Sequence, residues 1–504
     1  MSNNSAVRRV AKNSVFMYIR LIVLMCISFY TSRLLLYMMG VEDYGVFSVV
    51  GSVASSFVAL KSFFSESIQR FFNVAKGKIE GNIDEQISIF NLSIIIHLIL
   101  AVLFVVVVEV VGFWLINNKL SIPINRIDTA YYVFQMSILA IVLGIISIPY
   151  DALIIANEDM GFYAVISILD GTLKLLFVFI LPIIGGDYLK NYSIFLVLIP
   201  LLTLVIQLFF CNKYDECKYR LKYDKKIFHD IIVLSGWNFI GNISFSLVHE
   251  GINMLLNIFG GVRLNASRAI AYQIKNVTTQ VSSSSMVAIR PYVMQQSAQK
   301  SADFYFSDIC EISRLSFFLG LAPIVPLFVY CPQLINVWLV EAPENVSLFT
   351  RLILVGLLIR SLHEPINIMH MSFGNIKRMI LVEASIMLIF LLIIYLVLRM
   401  TGYIWMPFFI LTLMEVVIIT GLIINAKYEL GFPSLYYLQK VVMPMFLLVG
   451  MITISSYIIR IMVDGSSLIS LLLGITLIVL MELILLYSVM NQREKDIIKK
   501  LFNK

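Results

Sequence analysis

The chain has 504 residues, of which 60% are hydrophobic and only 14% charged. A soluble globular chain carries about 25% charged residues, and here long apolar runs recur from end to end, which excludes a soluble enzyme and points to a polytopic membrane protein. The net charge of +7 is no nucleic-acid signal, because most of the excess lies in short connections and at the C-terminus.

A helix needs about 20 apolar residues to cross the hydrocarbon core. The runs predict fourteen, at roughly 14–39, 45–69, 88–116, 129–150, 163–184, 192–212, 229–258, 266–289, 304–331, 347–371, 379–400, 404–426, 441–462 and 467–490. The first is too long for a signal-peptide core and lacks a small-residue cleavage site, so it reads as a span. Nine cations lie inside these runs: Arg20, Arg33, Lys61, Lys174, Arg268, Lys275, Arg314, Arg351 and Arg360. A charge at mid-bilayer costs about 2.5–3.5 kcal/mol on insertion scales, so such residues usually face a cavity or a partner. A cavity lined by cations suits an anionic cargo.

Taken in chain order, these residues differ. Arg20 and Arg33 in the first span are thirteen residues apart, roughly 140° around a straight helix, and cannot share a face. Arg20, like Arg314 and Arg351, lies near enough to a helix end to snorkel. Lys61 in the second span sits among Ser52, Ser55, Ser56, Ser62 and Ser65; it contacts cargo or pairs with a carboxylate such as Glu66 or Glu109. Asp170 and Lys174 in the fifth span are four residues apart. They either neutralise each other or form a protonatable pair that responds when cargo engages Lys174. Arg360 and Glu364 in the tenth span pose the same choice, with Pro365 inviting a kink beside them.

The eighth span carries the clearest polar stripe. Arg268, Tyr272, Lys275, Thr279, Ser282 and Met286 recur at spacings of 4, 3, 4, 3 and 4, which is one helical face. A polar face this long at membrane depth reads as a cavity wall; the alternative is polar packing between helices. Lys275 lies nearest mid-membrane. The expected cargo contacts are therefore Lys275, Lys61, Arg268, Arg33 and Lys174, and the candidate coupling carboxylates are Asp170, Glu250 and Glu364, with H+ or Na+ as the coupling ion. No cofactor or resident metal is expected. His249-Glu250 and His363-Glu364 begin a zinc-protease motif that neither completes. The five cysteines form no metal pattern and read as free apolar thiols.

The connections alternate in charge. One side carries Arg8, Arg9 and Lys12, then Arg70, Lys76 and Lys78, then a cluster from Lys213 to Lys226, then Arg290 and Lys300, Lys377 and Arg378, Lys427 and Lys440, and a basic C-terminus. The other has little beyond Lys119, Arg126, Lys190 and Arg263. The positive-inside rule puts the first set and both termini in the cytoplasm. The connection Asp151–Gly161 is cytoplasmic by parity although it has no basic residue. A shift of 220 residues aligns Gly40 with Gly260, Ser62 with Ser282, Ser65 with Ser285 and Arg70 with Arg290. The expected fold is thus all-α, with two parallel six-helix repeats, 1–227 and 228–440, and two further helices with a cytoplasmic tail in 441–504.

The block Asn13-Ser14, Arg33, then Met39-Gly40-Val41-Glu42-Asp43-Tyr44-Gly45-Val46-Phe47 resembles the polysaccharide flippases (Wzx-like) of the MOP exporter superfamily. That family shows an Arg, a helix end at a Leu-Gly or similar pair, and a Tyr-Gly turn opening the next helix. Ala288-Ile289-Arg290-Pro291-Tyr292 and Ile155-Ala156-Asn157-Glu158-Asp159-Met160-Gly161 resemble two further blocks. The second of these lacks the basic residue often found there. The resemblance implies a MATE-like, two-lobed transporter in a bacterial inner membrane, working by alternating access. Its cargo would be an undecaprenyl-pyrophosphate-linked oligosaccharide destined for surface polysaccharide such as O-antigen. Its partners would be membrane lipids, a glycan polymerase and other assembly proteins.

Two alternatives stay open. A MATE-type drug exporter shares the fold but usually carries cations and needs an acid-rich cavity. A membrane enzyme of glycan assembly, a polymerase, a ligase or a lipid-linked glycosyltransferase, is the other; Glu42-Asp43 superficially fits the carboxylates of the last kind, but such enzymes need a larger outer connection than any here. No Gly-x4-Gly-Lys-Ser/Thr loop occurs, so the chain is not itself an ATP-driven pump.

Overall fold

The computed structural model describes residues 3–56, 68–69, 71–72, 75, 83–218, 225–299, 302–373, 376–492 and 495. Lys61, Ser62, Ser65, Glu66 and Arg70 lie outside the described residues, and of Ser282 and Met286 only the backbone is described. The described residues are helical almost throughout, and eleven of their helices are long and apolar enough to cross a membrane. The chain divides into two compact units, Met1–Ala266 and Ser267–Lys504.

The first unit begins with α1 (Asn3–Ser55), which holds the first predicted span and the start of the second. The two arms meet at Gly40, whose φ of 74° and ψ of 171° break the helix without a Cβ penalty. Then come α2 (Ile83–Asn118), α3 (Ile127–Ile146), α4 (Ile148–Ala156), α5 (Met160–Ile184), α6 (Tyr188–Cys211) and α7 (Lys225–Gly260). Gly261, at φ 77°, turns the chain into α8 (Val262–Gln299). The positive φ of Gly40 thus recurs at Gly261, one residue on from the Gly260 that the 220-residue shift pairs with it.

The predicted connection Asp151–Gly161 is largely helical. Pro149 cannot donate a backbone hydrogen bond, so it closes α3 rather than the whole span, and its fixed φ opens α4 two residues later. The true turn is Asn157–Asp159, with Glu158 at a φ of 57°.

A polar ladder ties α7, α8 and the second arm of α1 together at the Gly40 end of this unit. Asn253 Nδ2 donates to Ser48 O at 3.0 Å, and Asn265 Nδ2 donates to Asn253 Oδ1 at 2.9 Å. Asn257 Nδ2 donates to Asn265 Oδ1 at 2.9 Å, and Asn257 Oδ1 accepts from Ser121 N at 2.7 Å. All three Asn side chains are buried. The same end carries Gly45 pressed against the backbone carbonyl of Val262, leaving no room for a Cβ. Arg126 bridges Asp43 and Asp187, at 2.7 Å from the latter, while Asp187 caps α6 by accepting from Leu189 N and Lys190 N. Arg263 pairs with Glu42 at 2.9 Å.

The second unit takes up α8 from Ser267. It continues with α9 (Ala302–Val329), α10 (Cys331–Trp338), α11 (Val346–Arg360), α12 (His363–Ser372), α13 (Ile376–Thr401) and α14 (Met406–Leu430). A short α15 (Ser434–Tyr437) runs through a π-helical turn, Leu438–Val442, into α16 (Met443–Met462), and α17 (Leu468–Val489) follows. The predicted tenth span is interrupted at Ser361–Leu362, just ahead of Pro365.

Prolines organise this unit. A proline cannot donate to the carbonyl four residues before it, and at three of them a side chain from another helix takes over. Ser316 Oγ donates to Ser361 O, freed by Pro365, at 2.7 Å. Arg351 Nε donates to Phe328 O, freed by Pro332, at 3.0 Å. Arg314 Nη1 donates to Lys440 O, freed by Pro444, at 3.1 Å, while its Nη2 donates to Val489 O at the end of α17, at 2.9 Å. Arg314 and Arg351, read from the sequence as near enough to helix ends to snorkel, donate to backbone carbonyls.

Candidate functional site

In the first unit, α1, α3, α5 and α6 line an open cavity of about 340 Å³. Phe47, Gly51, Ala140, Ile141, Gly144, Ile145, Leu196 and Pro200 make its walls apolar. The polar members are Ser137, whose hydroxyl donates to Val133 O at 2.7 Å, and the pair Asp170 and Lys174. Lys174 Nζ lies 2.7 Å from Asp170 Oδ2, with both side chains partly exposed. Helical spacing explains the contact: residues at i and i+4 share a face. An ammonium has three donors and this bond uses one, so Lys174 can still bind an acceptor that enters the cavity. Arg33 on α1 is half-buried. Arg20 stacks on Tyr163, its Cζ 4.8 Å from the ring centroid, and Glu250 on α7 is half-buried.

In the second unit, α8 presents the predicted stripe. Arg268 is 5% exposed, and its Cζ lies 3.8 Å from the centroid of Tyr272. Lys275 Nζ lies 4.5 Å from the same centroid. The electron-rich face of a phenol ring attracts both cations, so one aromatic holds two positive charges close together. Such a pair repels in isolation and is relieved by an anion. Thr279 Oγ1 donates back to Lys275 O at 2.9 Å, as hydroxyls in helix interiors commonly do.

A second polar cluster joins α11, α12, α13 and α14. Arg360 Nη1 donates to Glu415 Oε1 at 2.9 Å, and His363 Nε2 lies 2.8 Å from Glu383 Oε1. Glu364 is half-buried on α12. Sequence reasoning placed Arg360 with Glu364, four residues on, and missed Glu415 as its hydrogen-bonded partner, because a contact 55 residues away in the chain leaves no local signal. His363 and His370 serve separate partners, the latter placing Nε2 3.1 Å from Leu422 O. Glu42 and Asp43, the carboxylates that fitted an enzyme, are engaged by Arg263 and Arg126 respectively.

No family model matches the sequence, and no curated protein matches it. Solved structures do. A lipid II flippase MurJ in an inward closed conformation superposes with a TM-score of 0.70 at 13% identity, covering 95% of this chain and 99% of that one. A multidrug resistance MATE family transporter of the MOP superfamily, inward-facing, gives a TM-score of 0.63 at 12% identity over 81% of this chain and 94% of its own. A MOP superfamily transporter from Pyrococcus furiosus, described as having a binding pocket of reversed polarity, gives 0.54 at 14% identity, covering 83% and 96%. The fold of this chain is therefore the one these transporters share.

Proposed function

We propose that the protein is a transporter that flips an anionic, lipid-linked oligosaccharide between membrane leaflets by alternating access, in the bacterial inner membrane and with both termini cytoplasmic. The observation that carries this reading is the pair Arg268 and Lys275 held on Tyr272. Two cations on one helix face attract an anion, and a pyrophosphate linker suits them, since Arg grips phosphate oxygens in a bidentate fork and Lys adds a point charge. An undecaprenyl-pyrophosphate carrier has that chemistry, and surface polysaccharide assembly uses it. The fold shared with a lipid flippase over nearly the whole chain supports the same class.

In this mechanism Lys275, Arg268, Arg33, Lys61 and Lys174 hold the linker, and the lipid tail stays in hydrocarbon. Asp170, Glu250 and Glu364 are the carboxylates available to couple transport to H+ or Na+. A drug antiporter of the MATE kind needs an acid to meet a cationic cargo, whereas here Asp170 is already met by Lys174.

The test is transport. Lys275→Ala or Lys61→Ala is expected to abolish flipping of lipid-linked oligosaccharide, read as loss of surface glycan, with the protein still present in the membrane fraction. Normal surface glycan in both variants would sink the assignment, and efflux of cationic dyes by the intact protein would favour the antiporter.

A further inference from the structure

Glu482 sits in α17 and is 1% exposed. Neither carboxyl oxygen has a hydrogen-bond partner. Its helix is otherwise apolar, and Leu471, Gly474, Ile478 and Leu486 share its buried face.

Among the described residues, the helices packed on α17 bring no charge alongside Glu482. On α9 the titratable residues are Asp303, Tyr305, Asp308, Cys310, Glu311 and Arg314, with none from Leu315 to Val329. Arg314 is committed to the carbonyls of Lys440 and Val489. On α16 they are Tyr457, which is 63% exposed, and Arg460, in the last turn. At the other end Tyr330 donates its hydroxyl to Val463 O at 2.6 Å. A carboxylate ion enclosed this way has nothing to offset its desolvation, and the cost of such an ion far exceeds that of the neutral acid.

Backbone register brings carbonyls that lack helical donors to the level of Glu482, although neither carboxyl oxygen is bonded to one. Two contacts pin α9 against α17: Arg314 on Val489 O, and the Tyr330 ring on Gly474, where a Cβ would collide with it. Glu482 is eight residues from Gly474 and seven from Val489. The same counts along α9 from Tyr330 and from Arg314 arrive at Ala322 and Leu321. Pro323 and Pro326 fall in this stretch, and they deprive the carbonyls of Leu319 and Ala322 of their i+4 donors. A protonated carboxyl has an O–H to give to a carbonyl, whereas a carboxylate only accepts.

We propose that Glu482 is a proton-binding site at the seam of α9, α16 and α17. The inference is independent of the cargo. Its loss of the proton places an uncompensated charge in the seam, so the packing of α17 is proton-linked.

The full-length protein in detergent is treated with dicyclohexylcarbodiimide, which reacts with protonated carboxyls in apolar surroundings. The acid proton moves to a carbodiimide nitrogen and the carboxyl oxygen bonds the central carbon; the O-acylisourea then rearranges to a stable N-acylurea with no leaving group. Peptide mass spectrometry is expected to find this adduct on Glu482 at pH 6 and to lose it as pH rises to 9. Thermal unfolding is followed in parallel for the wild type and for Glu482→Gln, which keeps the shape and cannot ionise. On this proposal the folded wild type holds one proton more than the unfolded chain wherever the unfolded carboxyl is ionised and the folded one is not, so over that range its unfolding constant should rise by up to about tenfold per pH unit relative to Glu482→Gln. Parallel pH dependence in the two proteins overturns the proposal. So does modification of Glu482 by a water-soluble carbodiimide at the rate of the exposed carboxyls.

Discussion

Single residues in this protein act mostly through the backbone they touch. Gly45 is the sharpest case. It lies where the second arm of α1 meets the start of α8, and an added methyl would run into the carbonyl of Val262. Backbone cannot rotate away as a side chain can, so Gly45→Ala should destabilise the first unit by about 1–3 kcal/mol, as overpacking does. Thermal unfolding checks this, with an unchanged melting temperature as the contrary result. The resemblance implied a turn at Tyr44-Gly45, whereas the pair lies within helix and the break is at Gly40; the reason for the glycine was not legible, because Val262 comes from a distant helix. Cys217, outside the spans, shows a milder effect. Burial, with help from Glu216, pushes its thiol up to about 11, so it is a poor nucleophile at neutral pH.

At the scale of elements, apolar runs and their breaks were readable because each follows from local chemistry. Every predicted span lies almost wholly in helix wherever it is described, and the kink expected at Pro365 is there. What the sequence hid was the direction of a proline's effect and the identity of its rescuer. Pro149 divides one predicted span into α3 and α4. Pro444 was visible, but the guanidinium that answers its missing N–H comes from position 314. Arg314→Ala should therefore cost about 2–3 kcal/mol, since charged donors to two carbonyls are lost. The cost should fall by about 1 kcal/mol in a Pro444→Ala background, where the backbone regains the missing N–H. A double-mutant cycle measures this coupling, and strict additivity would refute it.

For the whole molecule, the fold class was legible from composition, and the stripe on α8 from its spacing. Of the charge pairs, Asp170 with Lys174 was legible from its i,i+4 spacing, whereas Arg360 with Glu415 and Arg126 with Asp43 and Asp187 were not, being contacts between distant segments. The Asn ladder bears on how the molecule moves. Neutral amides exchange partners with water at a net cost near 1 kcal/mol per bond, so a seam of Asn253, Asn257 and Asn265 can part and reseal in a way that an apolar seam cannot. If transport uses this seam, a disulfide across it, from Ser48→Cys with Asn253→Cys, should stop flipping under oxidation and restore it on reduction. Flipping at the unlinked rate with the bond formed would place the moving seam elsewhere. The proline-freed carbonyls carry a different consequence, an evolutionary one. A lineage that loses Pro444 no longer needs a donor at position 314, whereas one that loses Arg314 first inherits a damaged helix junction. Replacement at 444 should therefore precede replacement at 314, and the same order should hold for 365 before 316 and 332 before 351.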